Sequence, residues 1–185
     1  MPVLISLLRG VNVGGHRKVT MEDLRSIYES LGLTNVQTYI NSGNVLFRTS
    51  VRDGKRLRKR IEDAIEIAHG FRSDVFLRTP DELRSVIARN PFAARPELDA
   101  RKLTIHFLPE ELSAEVRQRV LEIPAEPEEL HHQGRELYIY FPNGMGRPKL
   151  SMALVEKTMK AAGTSRNWNT VRKLLELAER LERQL

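Results

Sequence analysis

Four short clusters hold the side chains of this chain that could do chemistry, and between them they offer amides, hydroxyls and cations, the groups that hold an anion. The first is Arg9-Gly10-Val11-Asn12-Val13-Gly14-Gly15. It lies between an apolar run and a helical pattern, where phosphate loops are found. It has neither G-x-G-x-x-G nor G-K-[ST] spacing, and the helical pattern starts some five residues past the last glycine. A dinucleotide site is therefore not expected. The plain reading is a loop whose glycines permit positive φ, and the alternative is a loop that lines a ligand. The second cluster, Asn41-Ser42-Gly43-Asn44, is what a tight hairpin needs. Ser42 lies outside G-x-S-x-G, and no His or Asp is placed to activate it. A binding hairpin is the better reading, and no catalytic residue is assigned.

The third cluster runs from Asn143-Gly144 through Arg147-Pro148-Lys149-Leu150-Ser151. Pro148 reads as the first residue of a helix. Arg147 and Lys149 would then sit at the helix end where the macrodipole disfavours cations by about 0.3–1 kcal/mol each. The first acid is Glu156. An anion placed there would gain from free N–H groups, the dipole and both side chains; otherwise this is a glycine turn with solvated basic tips. The fourth cluster, Thr164-Ser165-Arg166-Asn167-Trp168-Asn169-Thr170, holds the single Trp of the chain. Arg166 and Asn167 could hold a phosphate or carboxylate while Trp168 stacks on the ligand. The structural alternative is helix capping by Asn169 or Thr170, with Trp168 packed as a staple.

The run 52–60 carries six cations and one acid, and residues 1–92 hold 15 Lys+Arg against 10 Asp+Glu. A solvated helix face explains this run, and a phosphodiester-binding stripe is the alternative. The five histidines show no H-x-x-x-H or H-E-x-x-H spacing, so no metal site and no cofactor is expected. Without Cys the chain has no disulfide, thiolate metal site or Cys nucleophile. The net charge of +6 over 185 residues is a mild basic bias, compatible with a polyanionic partner. No apolar run reaches the 18 residues or so of a membrane span. Val3–Leu8 has no basic stretch before it and reads as a buried strand, so a cytoplasmic location is expected.

The elements that must position these clusters follow from periodicity. Val3–Leu8 is a strand. Thr20 caps a helix with Asp23 as partner, and Gly32 ends it. Strands 36–40 and 45–47 flank the Asn-Ser-Gly-Asn turn. A basic helix ends at Gly70, then a strand 74–77 and a helix 81–89 follow. The order then repeats: strand 103–108, helix 110–121, strands 129–132 and 137–141, helix 148–161 and a final helix 170–181. Both halves read β-α-β-β-α, the ferredoxin-like order. The expected fold is α+β, two such repeats packed into one compact unit with a C-terminal helix. The expected division is 1–89 and 101–185, joined by 90–100, which carries Pro91 and Pro96. In the first strand both faces are apolar, so both should be covered. In the second half Thr104, His106, Tyr138 and Tyr140 alternate with apolar residues, which predicts one open polar face, a weak likeness to an RNA-stacking sheet. The final helix, with Val171, Leu174, Leu175, Ala178 and Leu181 on one side, is too short a stripe for a coiled coil.

Leu7 through Gly15, Leu31-Gly32 and Thr38 through Val45 resemble the opening signature of the domain of unknown function 1697 family. Asn143-Gly144 through Lys149-Leu150 and Thr164 through Val171 resemble its closing signature. The resemblance spans nearly the whole chain and departs at Asn41, where Gln is expected, and at Pro148, where Ser is expected. It implies a bacterial α+β protein in which the four clusters recur together, as one shared site would. The leading reading is a site for an anionic, phosphate-bearing ligand, with nucleic acid the favoured form. Arg9, Lys149 and Arg166 would bind the anion. Asn12, Ser42, Asn44, Asn143 and Asn167 would orient it, and Trp168 would stack. The rival readings are an enzyme acting on a small phosphorylated or carboxylated metabolite, and a protein-interaction module. A monomer or weak dimer with no membrane partner is expected.

Overall fold

The computed structural model describes residues 1–184. Its elements run β1 (Val3–Leu8), α1 (Met21–Ser30), β2 (Thr34–Tyr39), β3 (Asn44–Arg48), α2 (Gly54–His69), β4 (Val75–Arg78), α3 (Pro80–Ala88), β5 (Leu103–Phe107), α4 (Ala114–Leu121), β6 (Glu129–Gln133), β7 (Glu136–Tyr140), α5 (Met152–Met159), β8 (Thr164–Asn167) and α6 (Trp168–Arg183). They form two four-stranded sheets, ordered β2-β3-β1-β4 and β6-β7-β5-β8, with antiparallel neighbours. This is the α+β fold of two ferredoxin-like repeats with a C-terminal helix. The described residues form two compact units, one of residues 1–83 and 173–184, the other of residues 84–172.

In the first unit Thr20 accepts from Asp23 N at 3.0 Å and Asp53 from Arg56 N at 3.0 Å, so both helices start on short polar side chains. Leu24, Tyr28, Leu57, Ile61 and Ile65 on these helices pack against Leu8, Val45, Phe47 and Val75. A polar pair, Ser6 Oγ and Tyr28 Oη, lies buried among them, 2.6 Å apart. The opposite face carries Val3, Ile5, Leu7, Leu46 and Phe76 and is also buried, as the doubly apolar strand predicts. Arg48 donates to Met1 O (3.0 Å), Leu181 O (2.7 Å) and Gln184 O (2.7 Å). A guanidinium thus satisfies carbonyls that the C-terminus of α6 would leave orphaned.

In the second unit the helices start later than the sequence pattern suggests. Ser113 caps α4 and Ser151 caps α5, accepting from Val116 N and Leu154 N. The prolines at 109 and 148 lie in the preceding turns, not at the first helical position. Residues 164–167, which fall between the expected helices 148–161 and 170–181, form the edge strand β8. The expected open face is also overturned. Ile105 stands opposite Tyr138 and His106 opposite Leu137, and directly opposed residues share a face. Tyr138 and Tyr140 therefore join Leu103, Ile105 and Phe107, while Thr104 and His106 join Leu137 and Ile139. Both faces are buried, with Tyr138 at 0%, Tyr140 at 8% and His106 at 3% exposure. No stacking platform remains on this sheet.

The register also shows a residue-level repeat hidden in the sequence. Arg78 of β4 stands opposite Ile5 of β1, and Arg166 of β8 stands opposite Ile105 of β5. Each repeat buries an arginine of its last strand against the isoleucine third along its first.

Candidate functional site

In the first unit the first two clusters meet. Arg9 N donates to Asp74 O, and Ser73 Oγ donates to Arg9 O, which pins the root of the loop. Asn12 N donates to Arg17 O and His16 N to Val13 O, closing a small finger. Asn12 itself sits at φ 55° and acts as a cross-brace. Its Nδ2 donates to Val19 O at 2.9 Å and to Asn41 O at 2.8 Å, and its Oδ1 accepts from Val19 N at 2.9 Å. Asn44 is buried and donates to Tyr39 O and to Ser42 Oγ, each at 3.0 Å. Gly43 lies flat beneath the finger: a Cβ there would come within 2.5 Å of Val11 and 2.8 Å of Leu8. The amides of Asn12 and Asn44 thus hold the loops in place.

What this platform presents outward is different. Val13 is 65% and Ile40 48% exposed. Asn41, His16, Arg17 and Lys18 are exposed beside them, and Arg9 is half-exposed. The Arg17 guanidinium lies 5.9 Å from the centre of the Phe71 ring. Among the described residues five other than glycine have positive φ, and Asn12, Arg17 and Ile40 are three of them. Strain of this kind gathers where a surface must keep one shape.

The other two clusters lie in the second unit. Asn143, Arg147 and Lys149 are exposed and line a cleft of about 700 Å³ with Glu126, Pro127, Glu128 and Glu129. The glutamates were missed in the sequence reading because they lie some twenty residues from the basic turn. Glu128 is buried and accepts from Lys149 N (3.0 Å) and Leu150 N (2.9 Å), so a carboxylate of the protein already binds the backbone groups of that turn. Glu129 pairs with Arg95 at 2.6 Å.

Arg166 is 6% exposed. Its Nη1 donates to Thr164 Oγ1 at 2.9 Å and Ser165 O at 2.8 Å. Burial pushes its pKa down to about 10, leaving a sequestered cation at neutral pH. Asn167 caps α6 by accepting from Asn169 N and donates to Arg101 O, so the cap is Asn167, where Asn169 or Thr170 was expected. Trp168 is 8% exposed and lines a cavity of about 70 Å³ with Phe92 and Tyr140, far below the roughly 300 Å³ of a small-molecule site.

The third and fourth clusters do approach one strand. Thr104 Oγ1 meets Met145 Sδ at 3.5 Å, and Lys102 Nζ donates to Pro142 O at 2.6 Å. Beside Thr104, His106, Ser165 and Glu156 come together, a grouping that no sequence spacing reveals because the residues stand on a central strand, an edge strand and a helix. Among the described residues no group of His, Cys, Asp and Glu could hold a metal ion, and no helix is long and apolar enough to cross a membrane.

The architecture defines an α+β protein of duplicated ferredoxin-like repeats, with its exposed polar loops gathered at strand ends. Residues 1–138 match the family described as a protein of unknown function (DUF1697), and the chain belongs to that family. It is similar to the solved structure of a conserved bacterial protein from Streptococcus pneumoniae, at 25% identity and a TM-score of 0.71 over 96% of this chain and 98% of that one. No curated protein matches.

Proposed function

We propose that the protein binds a phosphate-bearing polyanion, nucleic acid being the favoured form, on the braced loop platform of the first unit. The observation that carries this reading is the Asn12 brace, which joins two strained loops at 2.8 Å and holds His16, Arg17 and Lys18 outward beside the half-exposed Arg9. A preorganised cationic surface binds without first having to order its side chains and loops. Phosphate contacts release counterions, so affinity should fall steeply with salt. Arg52, Lys55 and Arg56 at the start of α2 are exposed too, but α2 follows Arg48, which stands opposite Val3 at the far end of β1 from Arg9, so they lie apart from this surface, and Lys59 is neutralised by Asp63 at 2.7 Å. A cytoplasmic location fits a nucleic-acid ligand.

Trp168 is buried, so its emission does not report on this surface. The test is anisotropy of a labelled oligonucleotide at several salt concentrations. Arg17→Ala and Lys18→Ala should each weaken binding and reduce the slope of log K against log salt by about 1. Binding with unchanged slope in both variants would sink the reading. A second reading rests on the cleft of about 700 Å³ that holds Asn143, Arg147 and Lys149. A small phosphorylated or carboxylated metabolite there would bind with weak salt dependence and would be lost in Lys149→Ala.

A further inference from the structure

We infer that Ser165, His106 and Glu156 form a hydrolytic site in the second unit whose substrate class is a small carboxylic ester. Ser165 lies on the edge strand β8, directly opposite His106 on β5, so the two side chains share a face. Ser165 Oγ is 2.8 Å from His106 Nδ1. On the other side of the ring, His106 Nε2 is 3.6 Å from Glu156 Oε1 of α5. That carboxylate oxygen is itself fixed by Gly163 N, which donates to it at 3.0 Å. The imidazole fits because residue 163 has no side chain: a Cβ there would collide with Nε2 and lie 2.6 Å from Phe107 O.

Hydroxyl, imidazole and carboxylate in that order are what an activated serine requires, and such a set is recognised by geometry, not by chain order. Here Nδ1 faces the hydroxyl and Nε2 faces the carboxylate. Either ring nitrogen can act as base when its partner fixes the other as N–H. The 3.6 Å separation is longer than a hydrogen bond, and such contacts are often loose until substrate arrives. His106 is 3% exposed, and Ser165 is half-buried at the sheet edge. Met145, 55% exposed and held to Thr104 at 3.5 Å, offers an apolar surface to the acyl group.

In the reaction Ser165 Oγ bonds to the ester carbonyl carbon as its proton passes to His106 Nδ1. The carbonyl π pair moves to oxygen and then returns, breaking the bond to the alcohol oxygen. The alcohol leaves with the proton from His106. Water, deprotonated by His106, then attacks the acyl-serine and releases the acid and Ser165 Oγ–H. Glu156 positions the ring and offsets its charge. An ester asks less of this set than an amide does, because an alkoxide is the better leaving group.

The test uses the full chain, diisopropyl fluorophosphate and p-nitrophenyl acetate. The fluorophosphate should form one adduct on Ser165, located by peptide mass, with fluoride released. Ser165→Ala, which removes one hydroxyl and should fold, should abolish both the adduct and ester turnover. Glu156→Gln should slow labelling by about tenfold or more and shift its pH profile. No adduct on Ser165, or turnover unchanged in Ser165→Ala, would overturn the inference and leave a structural hydrogen bond. The inference rests on the second unit alone, so its failure would leave the polyanion reading intact.

Discussion

Ile40 is a β-branched side chain at φ 49°, and it is 48% exposed. A left-handed conformation costs an L-residue roughly 1–2 kcal/mol, and Asn tolerates it far better. At 48% exposure Ile40 gains less from burial than a core residue does, which leaves strain at the surface it shapes. Ile40→Asn should raise unfolding stability by about 1 kcal/mol, read from the urea midpoint at constant m. A loss of stability would mean that the side chain has a packing role within the fold. Asn12 is the opposite case. Its sequence neighbourhood suggested a ligand contact, but its amide is spent on Val19 and Asn41. An amide can face either way, and only the arrival of a second loop from β2–β3 decides which.

Individual elements owe their boundaries to a few polar side chains. Thr20, Asp53, Ser113 and Ser151 each cap a helix, and the first of these was legible because Asp23 completes a local box. The start of α5 was not legible. Glu128 reaches from the turn before β6 to Lys149 N and Leu150 N, and a partner twenty residues away leaves no periodic trace. Arg48 works in the same way at the end of α6, with three short bonds to Met1, Leu181 and Gln184. Hydrogen bonds to charged groups contribute about 1.5–3 kcal/mol, and a buried carbonyl left orphaned costs about 1–3 kcal/mol. Arg48→Met, which keeps the stem, should cost about 2 kcal/mol and speed amide exchange in the last turn of α6. Unchanged exchange there would show that the cap is not what holds the helix end.

For the whole molecule, pH provides a direct check on how the second unit is packed. Burial, with the nearby Arg117 charge, holds the pKa of His132 below its ordinary value. The unfolded chain therefore takes up a proton near pH 6.5 that the folded chain resists. Stability should be level above that value and fall as the pH drops below it. His132→Gln should flatten the fall between pH 7 and 5.5 in urea titrations, and an unaltered pH dependence would exclude His132 as its source. Taken alone, the sequence determined the element order as far as α5, the doubly covered first strand, the hairpin at Asn41–Asn44 and the family. These rest on local periodicity, turn chemistry and contiguous motifs. The tertiary structure decided which side chains are free. It withdrew Arg166, Asn167 and Trp168 into β8 and the start of α6, paired Ile105 with Tyr138 so that the polar face closed, and brought His106 to Ser165. Register across strands has a period of two and no local marker, so a one-residue offset between β5 and β7 exchanges the faces, and only the assembled sheet fixes that offset.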